Sequence, residues 1–146
     1  DAQIGRSLRL LEKRAAADPV CTRLMSVPGV GPVTALTFVS SIEDPARFRR
    51  SSDAGAYAGL VPRRSQSGER DYTGHISKAG DPLLRSALYE AANSLLTRLK
   101  RPCALQTWGR RLAEIKGGKR ARVAVARKLA ALLHHLWRSE TEFCWN

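Results

Sequence analysis

A polar segment in the middle of this 146-residue chain gathers the residue types best suited to phosphate chemistry. Its centre is Arg64-Ser65-Gln66-Ser67-Gly68, and its basic neighbours in the sequence are Arg63, Arg70, His75, Lys78 and Arg85. A serine hydroxyl can attack a phosphodiester when cations stabilise the growing charge on the phosphate oxygens and a base or water removes its proton. Arginine suits the first task because its planar fork of donors matches two phosphate oxygens. A Ser-Gly turn in a basic surface loop is the simpler interpretation of the same residues.

A second motif is the glycine-rich stretch Val27 to Ala35, which has the helix-hairpin-helix signature of many DNA-binding proteins. Gly29 and Gly31 allow the backbone to approach a phosphate closely. The free N–H groups and the dipole of the following helix would favour an anion there, without base preference. The alternative is a plain turn between two helices that needs two glycines.

A third feature is a run of positive charge between Arg98 and Lys128, which holds 11 of the 25 basic residues and a single acid, Glu114. Because a solvated helix face usually mixes both signs, this imbalance favours a track for nucleic-acid phosphates. Trp108, within the run, is expected to anchor the core rather than to stack on bases. The residues expected to bind on the last helix are Lys119, Arg120, Arg122, Arg127 and Lys128.

Metal chemistry finds little support, and no metal site is expected in this chain. The acids are scattered, and the three cysteines are far apart with no CxxC pair. His134 and His135 are adjacent, so they point in different directions on a helix, and both are expected at the surface or an interface.

Composition sets the broad class of the protein. The formal charge of +12 predicts a polyanionic partner, most simply nucleic acid, although charge also keeps a small protein in solution. A hydrophobic fraction of 43% fits one globular domain. With neither an apolar run of about 20 residues nor the layout of a signal peptide, a cytoplasmic location is expected. Because the first residue is Asp1 rather than Met, we expect these residues to be excised from a longer chain.

Apolar periodicity and cap signals predict an all-α domain. Helices are expected over 3–17, from Asp18-Pro19, over 33–42, from Asp81-Pro82, from Pro102, and over 119–137. The segment from Arg63 to Lys78 lacks apolar periodicity and is predicted as a loop or small hairpin. The core is expected to centre on Leu84, Leu88, Leu95, Leu129 and Leu133.

Four pieces of the chain, in this order, resemble the C-terminal domain of transposases of insertion-sequence families 110 and 1111. They are PGVGPVTALTFVSSI, DPARFRRSSDAGAYAGLVPRRSQSG, GHISKAGDPLLRSALYEAA and KRARVAVARKLAALLHHLW. The resemblance runs from about Leu24 to Trp145. It implies that residues 1–18 end a preceding coiled-coil helix and that residues 19–146 form the transposase C-terminal domain.

The resemblance also implies a division of labour with an N-terminal, RuvC-like domain whose DEDD acids bind Mg²⁺. Ser67 then best fits the nucleophile, with Ser65 as runner-up and Ser77 as a structural or phosphate-contacting residue. DNA, a guide-type RNA and further copies of the protein are the implied partners. This chain alone is expected to be unable to cut or rejoin DNA. A non-catalytic helix-hairpin-helix module that binds DNA or RNA is the alternative function.

Overall fold

The computed structural model describes residues 2–67 and 70–145, and for 62–75 it describes only the course of the backbone. The elements are α1 (Ala2–Ala17), α2 (Pro19–Leu24), α3 (Pro32–Ile42), a 3-10 turn (Pro45–Arg47), α4 (Asp53–Tyr57), β1 (Pro62–Ser67), β2 (Arg70–Ile76), α5 (Pro82–Thr97), α6 (Ala104–Lys116) and α7 (Gly118–Ser139). The predicted all-α class is confirmed. The segment expected to be a loop or small hairpin forms a two-stranded antiparallel hairpin.

Three Asp-Pro pairs start helical segments in the same way. The carboxylates of Asp18, Asp44 and Asp81 each accept the backbone N–H two residues further on, at 2.9 Å. The following proline suits the first turn because it has no N–H to satisfy and its φ is already helical. These local signals explain why the predicted starts of α2 and α5 match the structure closely.

The core is built around α7, which contacts α2, α4, α5, α6 and the 3-10 turn. All five leucines predicted for the core are fully buried, which confirms that prediction: Leu84, Leu88, Leu95, Leu129 and Leu133. Removing the apolar surface of each such side chain from water contributes about 1.5–3 kcal/mol to the stability of the fold. Near the end of α7, the ring of Trp137 packs on Phe38 of α3, with centroids 6.2 Å apart.

Helix α1 is the least buried of the long helices. Ala15 is buried at its C-terminal end, whereas Ile4 is 61% and Leu8 46% exposed at the other end. The predicted apolar stripe is therefore covered only where α1 meets α2 and α3. None of the described helices is long and apolar enough to cross a membrane.

His134 was expected at the surface or an interface, but its side chain is fully buried inside the domain. Its Nε2 lies 2.7 Å from the carbonyl oxygen of Pro45 and its Nδ1 lies 2.9 Å from the hydroxyl of Ser51. A carbonyl can only accept, so Nε2 carries the hydrogen, and in the neutral ring Nδ1 accepts from the Ser51 hydroxyl. His134 thus fastens the segment between α3 and α4 to α7. His135, its neighbour, is exposed as expected.

We predict that His134→Ala lowers the free energy of unfolding by about 3 kcal/mol, because it opens a cavity and leaves the Pro45 carbonyl without its donor. His135→Ala, with the same change of side chain one position away, should change it by less than about 0.5 kcal/mol. Chemical denaturation of both variants measures the difference. Equal stability of the two variants would contradict the fastening role of His134.

Candidate nucleic-acid interface

The hairpin carries the predicted serine and most of its predicted arginines. In the backbone register Ser67 stands opposite Arg70, and Ser65 stands opposite Tyr72. The side chains of Arg63, Arg64, Ser65, Ser67, Arg70 and His75 lie outside the described part of the structure. Their roles therefore stay predictions.

Backbone contacts close the base of the hairpin against the segment that follows α4. Ser77 donates its N–H to the carbonyl of Val61 at 2.9 Å, and Lys78 donates to Gly59 at 3.1 Å. A Cβ at Gly80 would collide with the carbonyl oxygen of Tyr57. The two chain segments approach so closely that only glycine fits, which holds both ends of the hairpin in place.

The remaining predicted residues of this region lie at the same base. Arg85 places Nη1 3.4 Å from the carbonyl oxygen of Ala58. The hydroxyl of Ser77, expected to be a structural or phosphate-contacting residue, accepts the N–H of Ala79 at 3.3 Å. Lys78 has φ of +54° and an exposed side chain. Lys78 is therefore placed to reach a ligand, whereas Arg85 is partly occupied in closing the turn.

Asp81 connects the hairpin base to the body of the domain. Ser41 of α3 donates its hydroxyl to Asp81 Oδ2 at 2.6 Å. This hydrogen bond, together with those from the Leu84 and Leu83 N–H groups, lowers the pKa of the Asp81 carboxyl against the opposing effect of burial. An ionised Asp81 caps α5 where the chain leaves the hairpin.

The two glycines of the predicted helix-hairpin-helix motif have different surroundings. Gly29 has φ of +85°, and a Cβ there would lie 2.6 Å from the carbonyl oxygen of Ala91. Gly31 has open space around its Cα and precedes α3, which no side chain caps. Packing against α5 explains the need for glycine at position 29. Gly31 is the position at which an anion could approach the free N–H groups of α3.

The predicted cations of α7 are of two kinds: side chains held by contacts within the protein, and exposed side chains, which we call open. Arg122 donates Nε–H to the Tyr89 hydroxyl at 2.8 Å, and the Cγ of Arg127 lies 2.9 Å from where a Cβ of Gly55 would be. Lys119 and Arg120 are exposed. The open pair at the start of α7 is thus best placed to meet a ligand.

Trp108 was expected to anchor the core, and this was wrong, because it is 37% exposed. The ammonium of Lys128 lies 4.4 Å from the ring centroid. Such a contact is favourable because the face of the indole ring is electron-rich. Trp108 and Lys128 therefore form one surface feature where α6 packs on α7.

A basic run that the sequence argument did not select lies between α3 and α4, where Arg47, Arg49 and Arg50 occupy three of four positions. All three side chains are exposed. The signal was present in the sequence as three arginines without an intervening acid. It was missed because the run is short and lies outside the α-helices.

No group of three or more His, Cys, Asp or Glu side chains gathers in the described ranges in a way that could hold a metal. The three cysteines are free, with Cys21 and Cys103 buried and Cys144 exposed. Burial, and then the neighbouring Asp18 carboxylate, raise the pKa of the Cys21 thiol to about 11. Cys21 therefore stays protonated and unreactive at neutral pH.

Residues 21–108, more than half of the chain, match the Transposase IS116/IS110/IS902 family. The chain therefore belongs to this family of transposases, which confirms the family expected from the four sequence pieces. It is 38% identical over 146 residues to the transposase for insertion sequence element IS1111A of Coxiella burnetii, covering 99% of this chain and 40% of that protein.

Two further relatives broaden the comparison. The transposase for insertion sequence element IS1328 of Yersinia enterocolitica is 34% identical over 137 residues, which are 89% of this chain and 39% of that protein. The pilin gene-inverting protein of Moraxella bovis is 30% identical over 122 residues, which are 82% of this chain and 37% of its own length. The chain thus spans about two fifths of the length of these relatives.

The two glycines of the turn before α3 can be separated by experiment. Gly29→Ala should lower the free energy of unfolding by about 2–4 kcal/mol, since it adds a left-handed strain and a collision with α5. Gly31→Ala should cost less than about 1 kcal/mol and should weaken nucleic-acid binding, because its methyl group keeps a phosphate away from α3. Denaturation and equilibrium binding measure the two effects. A Gly31→Ala variant that binds like the parent would remove this turn from the interface.

Proposed function

We propose that this chain is the nucleic-acid-binding, serine-bearing C-terminal domain of a bacterial insertion-sequence transposase. The observation that carries the proposal is that the positively charged side chains which the structure describes are not paired with carboxylates. Within the described part of the chain no lysine or arginine forms an ion pair with a carboxylate within 4 Å. Whatever the pairing, basic residues exceed acidic ones by 12 in the whole chain, and this surplus attracts an external polyanion. Membership in a transposase family makes DNA the natural polyanion.

In this proposal Ser67 is the nucleophile. Its hydroxyl oxygen forms a bond to phosphorus while a bond from phosphorus to a deoxyribose oxygen breaks, and the serine proton passes to a base or water. The number of phosphate ester bonds is conserved, so the strand can be rejoined without an external energy source. The hairpin register, which sets the backbone of Ser67 opposite that of Arg70, is compatible with this proposal.

The other half of the active site is proposed to lie in an N-terminal acidic domain that binds Mg²⁺, so the isolated chain would be inactive. The chain's share of the relatives' length is in keeping with a division of the activity between domains. A guide-type RNA and further copies of the transposase complete the proposed assembly. Phosphate contacts carry no base preference, which suits a surface that must bind both RNA and DNA.

A non-catalytic binding module is the second candidate. The open approach at Gly31 and the uncapped start of α3 favour it, because neither needs the serine. The two functions differ in one respect only, since the module would bind nucleic acid without ever becoming linked to it.

The serine is tested in the intact transposase by comparing Ser67→Ala with Ser65→Ala. We expect Ser67→Ala to abolish strand exchange and the covalent protein–DNA adduct while nucleic-acid binding is retained, because one hydroxyl adds little to a binding surface dominated by phosphate contacts. Gel separation of the denatured adduct gives the measurement. If only Ser65→Ala loses the adduct, the nucleophile is Ser65, and if both variants recombine normally, the binding module replaces the catalytic proposal.

The track on α7 is tested by replacing its basic residues. Changing Arg120, Arg122, Arg127 and Lys128 to Ala should weaken binding to all sequences. The slope of log K against log salt concentration should become shallower by about 0.9 for each phosphate contact to duplex DNA that is lost. The open pair alone, changed by Lys119→Gln and Arg120→Gln, should give most of this effect without loss of stability. Arg6→Gln and Arg9→Gln on α1 provide a control with the same change of charge. An unchanged salt slope in the α7 variants would place the track elsewhere.

A further inference from the structure

A second concentration of arginine lies far from the α7 track, at the opposite end of the same helix. A groove of about 540 Å³ opens between α2, the 3-10 turn and the C-terminal end of α7. Its cations are all arginines: Arg23, Arg47, Arg49 and Arg138. We call these four residues and the space between them the arginine groove. Glu140 is the one acid in its lining.

Two of the four arginines are held in place by the protein. The guanidinium of Arg47 lies 4.8 Å from the ring centroid of Tyr57 and donates to the Tyr57 hydroxyl at 3.3 Å. Arg138 donates to the backbone carbonyl of Arg49 at 2.9 Å. Side chains fixed in this way lose less conformational entropy when a ligand binds. The groove is thus partly organised before any ligand arrives.

The other two arginines retain their donors for a ligand. The side chains of Arg23 and Arg49 donate to no residue in the described part of the chain. Neither is neutralised by a carboxylate within 4 Å there, although Glu140 lies in the same lining. Several cations that converge without neutralisation repel one another, and an anion between them relieves that repulsion.

The choice of arginine indicates which anion is bound. A guanidinium presents a planar fork that matches two oxygens of a phosphate, whereas lysine acts as a point charge. A lipid surface is disfavoured, because membrane-binding faces combine cations with exposed large apolar side chains. In this groove the largest apolar side chains are covered, with Phe48 half-buried and Trp137 9% exposed.

We infer that the arginine groove is a second binding surface for the phosphodiester backbone of a nucleic acid. The inference rests on the proposed function and adds a contact at the other end of α7. Arg120 and Arg138 are about 27 Å apart along the helix, at about 1.5 Å per residue. The domain therefore holds nucleic acid at two places, through the open cations at the start of α7 and through the groove at its end.

The decisive variants are Arg23→Gln and Arg49→Gln, alone and together, in the 146-residue chain. Neither side chain holds the described fold together, so thermal unfolding should be unchanged. The affinity should fall by at most about eightfold for each arginine at about 0.1 M salt. This limit follows because each phosphate contact releases about 0.9 counterion. The salt slope of the double variant should fall by about 1.8 on duplex DNA.

A change of opposite sign gives a second test. Glu140→Gln removes the one negative charge of the lining and should strengthen binding, whereas Arg23→Gln weakens it. Glu12→Gln and Arg6→Gln on α1 repeat the two charge changes on exposed side chains outside the groove. The groove variants must change the binding affinity more than these controls do, both upward and downward. Changes no larger than those of the controls would overturn the inference.

The probes are a DNA duplex and an RNA hairpin of matched length, with inorganic polyphosphate as a general polyanion. Loss of affinity for either nucleic acid supports the groove and identifies which backbone it binds. A loss confined to polyphosphate would overturn the inference. If Lys119→Gln and Arg120→Gln weaken binding while the groove variants do not, only the groove fails. If the parent chain binds neither nucleic acid, the proposed function fails as well.

Discussion

The fold depends on the burial of α7. This 22-residue helix contacts four other helices and the 3-10 turn, and its buried residues continue from Ala121 to Trp137. No other described helix meets so many partners. The shorter helices α2 and α4, with six and five residues, would not be stable by themselves, since an isolated helix of that length cannot recover the cost of nucleation. Their packing on α7 compensates for that cost.

The same burial determines where positive charge can be placed. A helix packed over most of its length cannot carry unpaired cations in its middle, because a charge removed from water without a partner is costly. Near the two ends of α7 its cations are exposed, with Lys119 and Arg120 at the start and Arg138 near the last turn, whereas the exposed Lys128 in the middle lies over the ring of Trp108. Between them, Arg127 lies with its stem against Gly55. The separation of the two proposed phosphate-binding surfaces would thus be a consequence of the core.

Much of the helical framework could be predicted from the sequence because its signals are local. Asp-Pro caps and leucine spacing depend on neighbouring residues, and they located α5 and the five core leucines. His134 and Trp108 were misjudged because their burial depends on which segments cross α7 and α6. Similarly, the arginine groove combines Arg23 with Arg138, residues 115 positions apart in the sequence. The spacing of residues in the sequence cannot show that two distant side chains lie close together in the fold. The assignment of the serine came from the family resemblance rather than from a local pattern.

The close approach of Gly80 to Tyr57 has a consequence for how the hairpin can vary. Residues outside the two strands close this turn, since Ser77 and Lys78 donate to Val61 and Gly59, and Ile76 of β2 also packs against the core. We therefore expect the hairpin before Ile76 to accept changes in length and residue type while the helices around it persist. Transplanting the corresponding segment of the IS1328 relative between Val61 and Ile76 is expected to change the chemistry of the hairpin without rebuilding the core.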